Sequence, residues 1–144
     1  MSQDNKEYEK LKTDKKQNEQ KQSSTQAQID DLDDKIKAMK DAYKAIDTAK
    51  EELKDIRKAI KKMPSEYDDK WKGRVSKEVY TSCKSEGELY SSYTSYIDAI
   101  DEIEDDLNLK LTEYENEKIK QEGFLVTLRT AWNDLCTKIQ NFFN

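Results

Sequence analysis

The sequence contains no histidine, one proline, three glycines and two cysteines in 144 residues. Each shortage removes a class of explanation. Without histidine there is no metal constellation of recognisable spacing, and no cofactor is expected. No apolar run approaches the ~20 residues that cross a bilayer, so no transmembrane segment is predicted. The opening "MSQDNKEYEK" lacks a signal-peptide core. The expected localisation is therefore cytoplasmic on synthesis, with any export proceeding without a cleaved leader. A net charge of -5 argues against a nucleic-acid partner, because phosphate neutralisation needs a dominant basic face. Cys83 and Cys136 would lie about 80 Å apart on one continuous helix, which is too far for a disulfide. Both are read as reduced thiols, an intermolecular bridge being the alternative.

What the chain does have is charge, at 40% of residues, against 34% hydrophobic. So little apolar material suits either disorder or long amphipathic helices, and periodicity decides between them. From Ile29 the apolar residues run Ile29, Leu32, Ile36, Met39, Tyr43 and Ile46. These alternating steps of three and four draw a seam down one helix face, and a seam calls for a partner helix. The stripe continues through Leu53, Ile56, Ile60 and Met63 to Pro64, which lacks an amide hydrogen and restricts the residue before it. Upstream, residues 1–28 are polar. The same frame puts Tyr8, Leu11, Lys15, Asn18, Gln22 and Thr25 on the seam. That segment is expected to bury little, to fray, and to break near Ser23-Ser24.

A second run starts after Gly73 with Val75 and Val79 and passes Cys83, Tyr93, Ile97, Ile100, Leu107, Leu111 and Tyr114. Two polar seam positions follow, Lys118 and Gln121. Then come Leu125, Leu128, Trp132, Leu135, Ile139 and Phe142. Gly87 and Gly123 lie inside this rhythm and are read as bends rather than ends. The predicted fold is all-α, a long antiparallel two-helix hairpin resembling a coiled coil. Its parts are a polar segment 1–28, a first helix at about 29–63, a tip at 64–73 and a second helix at about 74–142. With the tip centred near residue 68, Ile36 faces Ile100, Met39 faces Ile97, Tyr43 faces Tyr93 and Ile29 faces Leu107. The acidic stretch "DAIDEIEDD" then lies beside Lys35, Lys37, Lys40 and Lys44. In that register Leu125 and Leu128 meet Leu11 and Tyr8, and the tail beyond them overruns the start of the chain. Leu125, Leu128, Trp132, Leu135, Ile139, Phe142 and Phe143 are the candidate partner-binding residues, since a contiguous exposed apolar stripe marks a binding surface. The bland alternative is a second helix that bends at Gly123 and folds back.

The tip carries the remaining signal. "WKG", Trp71-Lys72-Gly73, sets a large apolar plate and a permissive glycine between two helices. It resembles the small leaderless helical hairpins of the WXG type, substrates of the Gram-positive type VII (ESX) secretion system. The first-helix pattern "IDDLDDKIKAMKDAYKAID", the Trp-x-Gly tip and the long second helix resemble the YwqH-like group more closely. That resemblance implies a targeting partner for LXG-domain polymorphic toxins in interbacterial competition. It also implies the toxin's N-terminal helices as ligand, with room for a second small helical companion. Family export signals pair Tyr or Phe with Asp or Glu four residues on. Tyr43 and Asp47 have that spacing but lie inside the first helix, where Tyr43 also serves the seam, and "NFFN" has no acidic match.

Two functions from different classes fit these residues. One is a non-enzymatic helical chaperone that binds such a toxin domain and directs it to type VII secretion. The other is an intracellular structural coiled coil that self-associates. An enzyme is not expected, because the chain has no histidine, no phosphate-cradling glycine loop and no nucleophile elbow. The clusters "DDLDD" and "DEIEDD" lack the central glycine of a calcium loop and are read as solvated faces.

Overall fold

Lysine, glutamate, glutamine, alanine and leucine all favour the helix, and few residues here interrupt it. A computed structural model of the chain describes residues 3–67, 74–84 and 87–143. Among the described residues there are three helices: α1 (Gln3–Tyr67), α2 (Arg74–Cys83) and α3 (Glu88–Phe142). The architecture is an all-α helical hairpin, with no strand among the described residues.

α1 differs from the expected first helix at both ends. It begins at Gln3 and runs unbroken through Ser23-Ser24, so residue 28 is no helix boundary. Propensity alone would leave such a polar stretch marginal. What holds it is cover from α3. Asn18 and Thr25, both on the projected seam, are 7% and 4% exposed. At the other end α1 continues through Pro64 to Tyr67. A proline this near the terminus deprives only the Ile60 carbonyl of its helical donor. The tip residues Trp71 and Gly73 lie outside the described residues.

The second run is two helices rather than one. α2 ends at Cys83, and α3 starts at Glu88. The Gly87 amide donates to the Lys84 carbonyl at 2.7 Å, and the Gly87 carbonyl accepts from the Ser91 amide at 2.9 Å, which opens α3. A Cβ on Gly87 would stand 2.2 Å from the Thr81 carbonyl oxygen and 2.4 Å from that of Ser82. The glycine is there because backbone crosses backbone at contact distance. Gly123 is the opposite case. α3 passes through it without interruption, and a Cβ there would meet nothing within 4 Å. The alternative reading, a second helix that bends at Gly123 and folds back, does not occur.

The contacts divide the chain into two units, Met1–Ala38 with Leu111–Asn144, and Met39–Lys110. In the first, Ile29, Leu32, Ile36, Leu125 and Leu128 are buried between the facing stretches of α1 and α3. In the second, Ile60, Cys83 and Ile97 are buried. Each such large aliphatic side chain contributes about 1.5–3 kcal/mol by leaving water.

Register is where the expectation fails. Tyr8 meets Phe142 at 5.5 Å between ring centroids, and the Asn18 side chain donates to the Leu128 carbonyl at 2.9 Å. Lys35, next to Ile36, lies 5.8 Å from the Tyr114 ring centroid. In the other unit Lys50 meets Asp101 at 2.9 Å, and Arg57 donates to Thr94 at 3.1 Å. Each α1 residue is therefore opposite an α3 residue about two heptads further on than the tight-tip register supplies. The physical reason is symmetry of the stripe. A slip of whole heptads keeps every apolar residue on the seam, so the stripe alone does not choose among such registers. The separate helix α2 lengthens the connection and moves the choice. As a result the acidic stretch meets Lys50, through Asp101 and Glu104.

Candidate functional site

The seam residues are placed as the periodicity requires. Ile29, Leu32, Ile36 and Ile97 are buried, while Met39, Tyr43, Ile46, Ile100 and Leu107 are half-buried. Tyr43 and Asp47 sit inside α1, and Asp47 lies 3.8 Å from Lys50. That location leaves the pair embedded in a continuous helix rather than at a helix end.

The C-terminal stripe has more cover than the sequence suggests. Because the register is longer, Leu125 and Leu128 are buried, at 5% and 9% exposure, and Trp132, Leu135 and Ile139 are half-buried. The Trp132 indole donates to Glu19 at 3.0 Å and lies under Lys15, whose Nζ is 5.3 Å from the ring centroid. At the end of α3, Phe142 and Phe143 flank Tyr8, with centroids 5.5 and 5.1 Å away. Only these two phenylalanines remain on the exposed side, at 37% and 70%. The premise that the tail lacks a first helix beneath it is corrected: the polar N-terminal stretch of α1 is that helix.

Other apolar side chains are exposed, several of them on α3. Leu109, Ile119 and Val126 are 67%, 65% and 61% exposed, and Phe124 is 51% exposed. Ile119, Gly123 and Val126 step by four and three along one face turned away from the seam. Phe124 is the neighbour of buried Leu125, so it stands at the flank of the seam rather than in it. Beside it a groove of about 840 Å³ opens between α1 and α3, lined on one wall by Lys21, Ser24 and Thr25 and on the other by Lys120, Gly123 and Phe124. The sequence signal for this surface is apolar residues that miss the stripe, which a seam-first reading passes over.

Charge is arranged around the seam rather than in a cleft. Lys50, whose side chain is 12% exposed, donates 2.9 Å bonds to Glu104 and to Asp101. Those bonds, to Glu104 first, hold its ammonium well above the usual lysine value. Glu104 is 5% exposed, and its second oxygen has no partner among the described residues. Lys118 is raised mainly by its hydrogen bond to Asp33, and Lys35 by its bond to Asp31. Among the described residues no group of three His, Cys, Asp or Glu is placed to hold a metal ion, and both cysteines are free. No described helix is long and apolar enough to cross a membrane.

No curated protein and no solved structure matches the chain. A family model does, and it spans residues 13–137, which takes in the facing stretches of α1 and α3 and everything between them. On that match the chain belongs to the YwqH-like family.

Proposed function

We propose that the protein is a non-enzymatic helical partner that binds the helical N-terminal domain of an LXG-type toxin and helps direct it to type VII secretion. The observation that carries this reading is apolar surface left over after the hairpin has filled its own seam. Ile119, Phe124 and Val126 keep 65%, 51% and 61% of their surface in water. Ile119 and Val126 share one side of α3 and Phe124 stands on another, and exposed apolar positions along a long helix are the form in which one helical protein receives another, with many moderate contacts rather than one pocket. Membership of the YwqH-like family supports the same direction. A second small helical companion fits the same account, and export would then proceed with or through the bound toxin.

The test is co-expression with the product of the gene immediately downstream, where that gene encodes a long chain with a helical amino-terminal region. A stable one-to-one complex by size-exclusion chromatography with light scattering is the expected result. A homodimer indifferent to that product would instead favour the self-associating coiled coil, and overturn the proposal.

A further inference from the structure

The groove between α1 and α3 carries an inference about how a partner would be held. We infer that it docks an amphipathic helix of another protein, whose apolar stripe seats on Phe124 above Gly123 and whose flanking carboxylates meet Lys21 and Lys120. This rests on the reading that a helical partner exists, and it names the place and the chemistry.

Three observations converge. Gly123 is a helix-weakening residue with no internal reason to be glycine: α3 does not turn there, and a Cβ would meet nothing within 4 Å. A glycine that no internal contact demands leaves the helix surface low, which lets an outside backbone approach closely. Phe124 stands next to that gap with 51% of its surface exposed, although Leu125 beside it is buried. The facing wall on α1 dips at Ser24 and the buried Thr25, between the longer side chains of Gln20, Lys21 and Gln28.

Charge identifies the occupant. Lys21 and Lys120 are the charged residues of the groove, one on each wall, and neither is ion-paired among the described residues. The neighbouring carboxylates are engaged elsewhere: Glu19 with Trp132, Glu117 with Gln121, and Glu122 with Lys118. In a chain of net charge -5 this is a locally basic slot. A second copy docking by two-fold symmetry would bring the same lysines towards one another. Carboxylates flanking the stripe of a different chain complement them, and complementary charge fixes partner and register more than it adds affinity.

The probes are two synthetic helical peptides with one leucine stripe, flanked by glutamate in one and by lysine in the other. Each is titrated into the full-length chain by fluorescence anisotropy, with amide shifts mapped by NMR. The glutamate peptide is expected to bind with shifts centred on Gly123, Phe124 and Lys21, and the lysine peptide at least about tenfold more weakly. Gly123→Gln should weaken the glutamate peptide by at least about tenfold without lowering the unfolding midpoint, and Lys21→Glu with Lys120→Glu should reverse the preference. Equal affinity for both peptides, no binding at millimolar concentration, or shifts away from the groove would each overturn the inference. So would self-association that Gly123→Gln abolishes. A toxin complex that forms but ignores Gly123→Gln removes the groove and leaves the proposed function. Peptide binding in the groove with no toxin complex does the reverse.

Discussion

Two glycines in this chain should respond with opposite sign to the same substitution. At Gly87 an added methyl would stand 2.2 Å and 2.4 Å from the carbonyl oxygens of Thr81 and Ser82. Those are backbone atoms at the end of α2, so no side chain swings aside. Relief requires α2 to move relative to α3, and overpacking of that kind costs typically about 1–3 kcal/mol. At Gly123 the methyl meets nothing within 4 Å, and α3 is continuous there. Alanine in place of glycine inside an exposed helix gains roughly 0.5–1 kcal/mol. Urea unfolding followed by far-ultraviolet circular dichroism gives the comparison directly. Gly87→Ala should lower the midpoint and Gly123→Ala should raise it, at unchanged m-value, with the two variants separated by about 1.5–4 kcal/mol. If Gly87→Ala is as stable as the parent, the close crossing of α2 and α3 is wrong. If Gly123→Ala is destabilising, that glycine has an internal contact and the open space above it is not real.

Other substitutions probe the seam. Leu128→Ala removes a side chain only 9% exposed and should cost about 2–5 kcal/mol in the same urea assay, whereas Leu109→Ala, at 67% exposure, should stay within about 0.5 kcal/mol. Asn18→Leu deletes the bond to the Leu128 carbonyl, an oxygen that keeps its helical donor, and buries an apolar group instead. It should leave stability equal or higher by up to ~2 kcal/mol, while exchange-broadened NMR signals report a loosened register. Lys50→Met strands the buried Glu104 carboxylate, so its midpoint should fall below that of the double variant with Glu104→Leu, in which neither charge is buried alone. Lys50, Lys35 and Lys118 are all raised above the ordinary lysine value of 10.5. Their contribution is therefore complete below that pH and is lost as pH climbs through the folded values, and Lys50→Met should flatten this alkaline loss in a pH series of midpoints.

The stripe made much of this architecture legible. Ile29, Leu32, Ile36 and Ile97 fall on the three-four rhythm, and all four are buried. Projected upstream, the same rhythm reaches Asn18 and Thr25, which are polar and yet nearly as buried as the aliphatics. A polar residue on the seam therefore does not mark the end of a helix when its side chain finds a partner, as Asn18 does across the hairpin. Register was hidden because a heptad pattern is indifferent to slips of whole heptads. What distinguishes one slip from another is the polar matches, Asn18 with Leu128 and Lys50 with Glu104, and these are visible only when both helices are in place. The break before α3 was hidden for a similar reason. Cys83 keeps the rhythm going into the turn, and only the crossing at Gly87 reveals that the helix has ended. The groove is not legible in the stripe, because Phe124 and Gly123 lie off it.

The central claim is that the N-terminal stretch of α1 faces the C-terminal stretch of α3, so that Leu125 and Leu128 are covered and the groove proposed for docking lies on the flank of the seam. Spin-label distances test this most directly, in a background with Cys83→Ala and Cys136→Ala, using one label at residue 8 and a second at residue 142 or at residue 128. The account predicts the short distance for the pair 8 and 142 and a separation of roughly 20–25 Å for 8 and 128, which lie about 20 Å apart along the axis at about 1.5 Å of rise per residue. A short distance between 8 and 128, with 142 far from 8, would restore the tight-tip register, uncover the tail and contradict the account.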